Sequence, residues 1–241
     1  MKFKKLLIFI VFLITIIPSY VKAEGVLIGW VQPYYDTGTG DGIANDLAVD
    51  SSGNVYVTGF TEGPWWARQE GAYTTVKCNS SGGILWEKKY ITAGYGPVAI
   101  ELDSQGNAYV AGNDATIKYD PNGTELWVRS GGTAIAVDLS GNIYVTGSNG
   151  TIRYDSNGTE LWVRSGGNAI AVDLSGNVYV TGGNGTIKYD INGNELWVRS
   201  GANAIVLDSS GNIYISGDLG ITKYDGNGNE LYFVSDGGVM A

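Results

Sequence analysis

The densest chemistry in the 241-residue chain lies in Phe60 to Tyr73, FTEGPWWARQEGAY, where Glu62 and Glu70 flank Trp65, Trp66 and Arg68. Indole faces beside carboxylates suit recognition of a sugar or a peptide, because rings cover apolar faces while carboxylates accept hydroxyl or amide hydrogens. The same glutamates, with Glu101, also supply the paired carboxylates that a glycosidase needs. Other chemistries are narrowly bounded. There is no histidine, which excludes a Ser-His-Asp triad and a His-ligated metal. The one cysteine, Cys78, cannot form an internal disulfide and has no His to activate it.

A second set of carboxylates recurs at fixed sites. Asp50, Asp103, Asp138, Asp173 and Asp208 each precede a Gly-Asn pair. Gathered at one mouth of a channel they would form an oxygen-rich ring for Ca²⁺, a hard cation. Each also has a sufficient local role, since an Asp side chain accepts hydrogens from the backbone two residues on and so caps its own turn. Asp120-x-Asn122-Gly-x-Glu125 is similar to part of a calcium loop but is too short to be one. No other cofactor is implied.

The elements that must position these groups are repeats. Ala134 to Asn168 is followed by 35 residues that differ from it at six positions. Equivalent columns are Ala99, Ala134, Ala169 and Ala204; Tyr109, Tyr144, Tyr179 and Tyr214; and Trp127, Trp162, Trp197 and Tyr232. A longer copy comes first, with Asp50 to Gly59 matching the front of the unit and Thr75 to Trp86 the back; there Cys78 takes a Tyr place and reads as buried filler. Fixed periods of this length signal stacked or radial architectures.

Within one unit the composition predicts four strands, a at Ala134 to Val137, b at Asn142 to Thr146, c at Thr151 to Tyr154 and d at Glu160 to Arg164, each rich in Ile, Val, Tyr, Thr or Trp. Asp138 to Asn142 and Asp155 to Gly158 supply turn chemistry, with Gly or Asn-Gly where positive φ is needed. Four antiparallel strands in 35 residues make one propeller blade. Trp162 with Arg164, and the pairs 127/129 and 197/199, are placed for cation–π contacts that serve packing.

The phrase at Ala48 to Gly59, AVDSSGNVYVTG, followed by TIKYDxNGxELW at 116–127 and 186–197, resembles the SBBP type of β-propeller repeat found in secreted and surface proteins, and more distantly NHL and PQQ-type blades. The resemblance spans residues 26 to about 235 and implies an all-β propeller with strand a innermost. It implies no activity and no catalytic residue. Five units fall at 44–90, 98–129, 134–164, 169–199 and 204–235, with Val26 to Val31 as an additional strand d carrying Trp30. The reading is therefore five four-stranded blades, with an open or six-bladed array as the alternative. The N-terminal strand and Glu230 to Ser235 compete for the closing place, and the latter has lost both Trp and Arg.

Antiparallel strands sort the loops by face. The b–c and d–a loops share one face, where Phe60 to Tyr73, Tyr90 to Pro97 and Gln32 to Gly42 bring Trp65, Trp66, Arg68, Glu62, Glu70, Tyr34, Tyr35 and Tyr95 to one sector. The a–b and c–d turns share the other face with the aspartates.

Composition sets the context. Lys2, Lys4 and Lys5, the apolar run Leu6 to Ile17 and the small residues of Val21-Lys22-Ala23 form a signal peptide over 1–23, too short in its apolar part for a membrane span. Removing it leaves eleven basic against 24 acidic residues, a net charge of −13 on a single domain spanning 24–241. Such a surface repels nucleic acid and anionic lipid. The expectation is a secreted or cell-envelope, non-enzymatic propeller that binds protein or carbohydrate at the cell surface. Membrane insertion is not expected after signal cleavage. A carboxylate-dependent glycan-active enzyme and a structural spacer are the alternatives.

Overall fold

The computed structural model describes residues 42–62, 71–92, 96–235 and 238–239. It forms five antiparallel sheets in which chain order equals spatial order, the arrangement of a five-bladed β-propeller. Blade 1 has strand a at Gly42–Val49, b at Val55–Glu62, c at Gly71–Cys78 and d at Ile84–Thr92. Blade 2 follows at Pro97–Leu102, Ala108–Gly112, Thr116–Tyr119 and Glu125–Arg129. Blade 3 is Ala134–Val137, Ile143–Gly147, Gly150–Tyr154 and Glu160–Arg164. Blade 4 is Ala169–Val172, Val178–Gly182, Gly185–Tyr189 and Glu195–Arg199, and blade 5 is Ala204–Leu207, Ile213–Gly217, Gly220–Tyr224 and Glu230–Ser235. Strands b and c sit within one or two residues of the places expected from sequence. The lone strand expected at 26–31 and the leader at 1–23 lie outside the described residues.

Both turns of every unit have one design. At Asp138 the Gly141 N–H donates to the Asp138 carbonyl at 3.0 Å, and the Asp138 N–H donates to the Asn142 carbonyl at 3.0 Å. This is the three-residue hairpin in which a type I turn ends on a left-handed residue, here Gly141 at φ 76°. An L side chain is strained at that angle, so glycine is required. Blade 1 keeps the turn between c and d with Asn79 in the Asp place, bonded to Ser81 N and Gly83 N.

Strand a is innermost, and the five a strands pack in series. Between blades lie four repeated cores. Tyr144 and Trp162 of blade 3 meet Val178, Val180, Ile187 and Tyr189 of blade 4; Tyr179 of blade 4 meets Ile205, Ile213, Ile215 and Tyr224 of blade 5. Each Trp sits between two Tyr rings, as Trp162 does between Tyr144 at 6.0 Å and Tyr189 at 6.1 Å. Cys78 is buried in the place of that second Tyr, as the repeat alignment predicts.

A polar clasp joins each blade to the next. Lys118 Nζ and Trp127 Nε1 both donate to the Ser156 carbonyl, at 2.9 and 3.3 Å, and Arg129 Nε donates to the Gly158 carbonyl. The pattern repeats one unit on, where Trp162 Nε1 and Arg164 Nε reach Ile191 and Gly193. The guanidinium carbons lie 5.5–5.7 Å from the Trp ring centres, so the expected cation–π pairs form within this clasp.

The series weakens at blade 5. Tyr56, Tyr109, Tyr144 and Tyr179 are fully buried, whereas Tyr214 is only half-buried and Tyr232, in the Trp column, is 46% exposed. Lys223 turns back onto its own blade, 3.7 Å from Asp208, instead of reaching a following turn. Among the described residues, no strand of blade 5 packs on blade 1 as extensively as successive blades pack on each other. The segment Glu230–Ser235 nevertheless holds the outer place of its own sheet, paired from Tyr224↔Glu230 to Gly220↔Ser235, and Gly238–Val239 adds a fifth strand beside it. Ladder hydrogen bonds belong to the backbone, so the loss of Trp and Arg does not unseat it.

Candidate functional site

The face carrying the b–c and d–a loops is most elaborate over blades 1 and 2. Strands b and c of blade 1 pair over eight residues, from Val55↔Cys78 to Glu62↔Gly71, where the other blades pair over four or five. The extension is held from inside. Thr61 and Thr74 share a hydroxyl hydrogen bond of 2.8 Å, and the rings of Tyr73 and Tyr90 lie 5.8 Å apart. The Tyr73 hydroxyl accepts from the Asp114 N–H at 3.0 Å, and Thr92 Oγ1 donates to the Asp114 carboxylate. These contacts fasten the blade 1 extension to the b–c turn of blade 2.

Of the residues singled out for this sector, Glu62 is described as the last backbone position of its strand. Its side chain, together with Trp65, Trp66, Arg68, Glu70, Tyr34, Tyr35 and Tyr95, lies outside the described residues. What is described is the platform formed by the extended strands b and c of blade 1. Tyr73 is 1% exposed and rigidly bonded, so it belongs to that platform.

Two carboxylates meet between the inner strands. Asp46 and Glu101 occupy columns that hold mostly alanine in the other blades, Asp46 aligning with Ala134 and Glu101 with Ala136. Asp46 accepts the Ile100 N–H at 2.9 Å across the blade boundary, and Asn45 Nδ2 donates to the Pro97 carbonyl beside it. Glu101 reaches water but is crowded by protein, and this desolvation, followed by the Asp46 charge, pushes its carboxyl above the usual range. Glu101 was among the sequence candidates; Asp46 was not. The signal that could have found it is its departure from an alanine column.

The five repeated aspartates are committed to their turns. Asp173 Oδ1 accepts from Ser175 N and Asn177 N, and Oδ2 from Asn177 Nδ2 and the Tyr179 hydroxyl, all at 2.7–3.0 Å. Asp50, Asp103, Asp138 and Asp208 repeat the set. Among the described residues no three carboxylates or thiols come close enough to hold a metal ion.

These bonds make acid stability predictable. Burial opposes ionisation of Asp50, Asp103 and Asp173, but hydrogen bonds to the charged form outweigh it and hold their carboxyls low. Asp120, Asp155, Asp190 and Asp225 are also held low by their turns, and at Asp208 the Asn212 side chain leads in lowering the value to about 2. A carboxyl lowered by folding contributes stability above its unfolded pKa of about 3.9, and that contribution fades as pH falls through the folded value. Glu101 alone acts in the opposite sense. Thermal melting should be level near neutrality and decline progressively from about pH 4 toward pH 2. An unchanged midpoint across that window would contradict this account of the turns.

A model of the β-propeller repeat matches residues 27–64, a stretch that takes in strands a and b of blade 1 and the residues just before them. No curated protein matches the chain. Among solved structures, a protein of unknown function from Bacteroides caccae is similar at 14% identity over 86% of this chain and 85% of that one, with a TM-score of 0.50. The extracellular domain of a one-component system from B. thetaiotaomicron is similar at 13% identity and a TM-score of 0.50, over 75% of this chain but 32% of that one. At such identities the likeness is one of fold.

Proposed function

We propose that this chain is a secreted, non-catalytic β-propeller that binds protein or carbohydrate at the cell surface, through the loop face over blades 1 and 2. The observation that carries the reading is the contrast between unit and departure. In blades 2 to 4 the turn aspartates, the Lys or Arg of strand c and the Trp and Arg of strand d are consumed by turns and blade joints. The b–c extension of blade 1 is built outside that scheme, and its Tyr73–Asp114–Thr92 bonds stiffen the strands that bracket residues 63–70, where the sequence carries Trp65, Trp66 and Glu70. Rigid support lowers the entropy lost on binding.

Replacing Trp65 and Trp66 together by Ala should remove signals from a glycan or peptide array that the parent protein gives. Array signals identical to the parent protein would remove this sector from consideration.

One observation favours a second reading, a carboxylate-dependent glycan-active enzyme. Burial, followed by the Asp46 charge, raises the Glu101 carboxyl, the direction that suits a general acid. Turnover in a glycosidase panel, lost in Glu101→Gln or in Glu62 and Glu70 variants, would favour it; binding without turnover favours the scaffold.

A further inference from the structure

Blades 4 and 5 form an open cavity of about 700 Å³, lined among others by Asn168, Ala202, Asn203, Asp218, Thr222 and Phe233. Its origin is visible in the repeat. Strand c of blades 2, 3 and 4 reads Thr-Ile, with the Thr buried on the opposite face, its hydroxyl donating to the d–a linker, and Ile117, Ile152 and Ile187 buried against the preceding blade. In blade 5 the two are exchanged. Ile221 faces outward, 45% exposed, and Thr222 takes the place facing blade 4, where it is only half-buried.

Two more departures enlarge the gap. Ala202 replaces the glycine of the d–a linker at Gly132 and Gly167, and its methyl holds the linker off. A side chain leaving Gly147 or Gly182 would meet the Cα of that glycine at 3.0 Å, whereas at Gly217 the distance to the Ala202 Cα is 3.4 Å. Phe233, the cross-strand partner of Thr222, replaces Val163 and Val198. An aliphatic Ile–Val pair has thus become a hydroxyl beside an aromatic ring. Asp218, in a place held by Ser or Gly in blades 3 and 4, accepts from Asn203 Nδ2 at 3.2 Å on the rim.

We infer that this cavity is a second binding site, for a neutral mono- or disaccharide. Its volume lies in the range of about 300–1,000 Å³ usual for small-ligand sites. No cationic side chain is among the lining residues, while Asp218 and Glu230 are, which disfavours phosphates and acidic sugars. Thr222, Asn168 and Asn203 offer both donors and acceptors, as a ring of hydroxyls requires, and Phe233 offers a face for its C–H side. The site is separate from the loop sector proposed above and does not depend on it.

The test uses substitutions that restore the repeat's own residues, so the fold is kept. The mature protein is titrated with methyl glucoside, methyl mannoside, methyl galactoside, N-acetylglucosamine, maltose and cellobiose up to about 20 mM, where a Kd of about 1 mM would be saturated. Saturable binding of at least one sugar is expected, weakened at least tenfold in Thr222→Ile and in Phe233→Val. Absence of saturation with all six, or full retention of binding in both restoring variants, would overturn the inference and leave the cavity a packing gap.

Discussion

Replacing Asp173 by Ala is expected to lower the free energy of unfolding by about 3 kcal/mol, although the residue lies at the protein surface and touches no neighbouring domain. The carboxylate accepts four hydrogen bonds, from Ser175 N, Asn177 N, Asn177 Nδ2 and the Tyr179 hydroxyl. A hydrogen bond to a charged group contributes about 1.5–3 kcal/mol, and solvent near the rim reduces that for the backbone donors. The Tyr179 bond is the costly one. Its ring is 1% exposed at the joint with blade 5, and without Asp173 its hydroxyl loses its acceptor at the edge of that core. Asp173→Asn keeps the shape but gives up one full acceptor oxygen, so it should fall between the Ala variant and the parent. Denaturant midpoints would show the order, and a loss under about 1 kcal/mol for the Ala variant would mean that water replaces the carboxylate at little cost.

This dependence of the turn on one side chain explains why so much of the fold was legible. Asp, Gly and Asn act within five residues, through φ and local hydrogen bonds, so reading them needs no knowledge of tertiary structure. The Tyr and Trp columns were legible for a related reason, since periodic large rings must be buried against whatever follows them. The clasp was not. Its acceptors are main-chain carbonyls belonging in turn to Pro121, Ser156, Ile191 and Gly226, and a carbonyl has no sequence signature. Asp46 was missed because its meaning lies in a partner strand more than 50 residues on, reached across a bulge between Ala44 and Asp46. The cavity between blades 4 and 5 was hidden by composition, as Ile221-Thr222 contains the same two residues as the Thr-Ile it replaces. In the sector over blades 1 and 2, the departure from the unit was legible, and the bonds of Tyr73, Asp114 and Thr92 beneath it were not.

The same column of the repeat should respond very differently at its two ends. Trp162→Ala removes a ring that is 8% exposed, packed between Tyr144 and Tyr189 and bonded through Nε1 to Ile191 at 3.1 Å; such truncations cost about 3–5 kcal/mol. That interface also joins the first three blades to the last two, so unfolding should become less cooperative as well as easier. Tyr232→Ala removes a ring that is 46% exposed and that no blade covers among the described residues, and a change within about 1 kcal/mol is expected. The comparison tests whether the outer face of blade 5 is covered. If Tyr232→Ala proved as damaging as Trp162→Ala, the face of blade 5 would have to be covered in solution, because an aromatic ring contributes on that scale only when water is removed from it. A small effect at Tyr232 beside a large one at Trp162 would leave the stability of the array in its four internal joints. Its terminal blade would then be free to carry Thr222, Ala202 and Phe233, which an internal joint, filled by Ile, Gly and Val, does not allow.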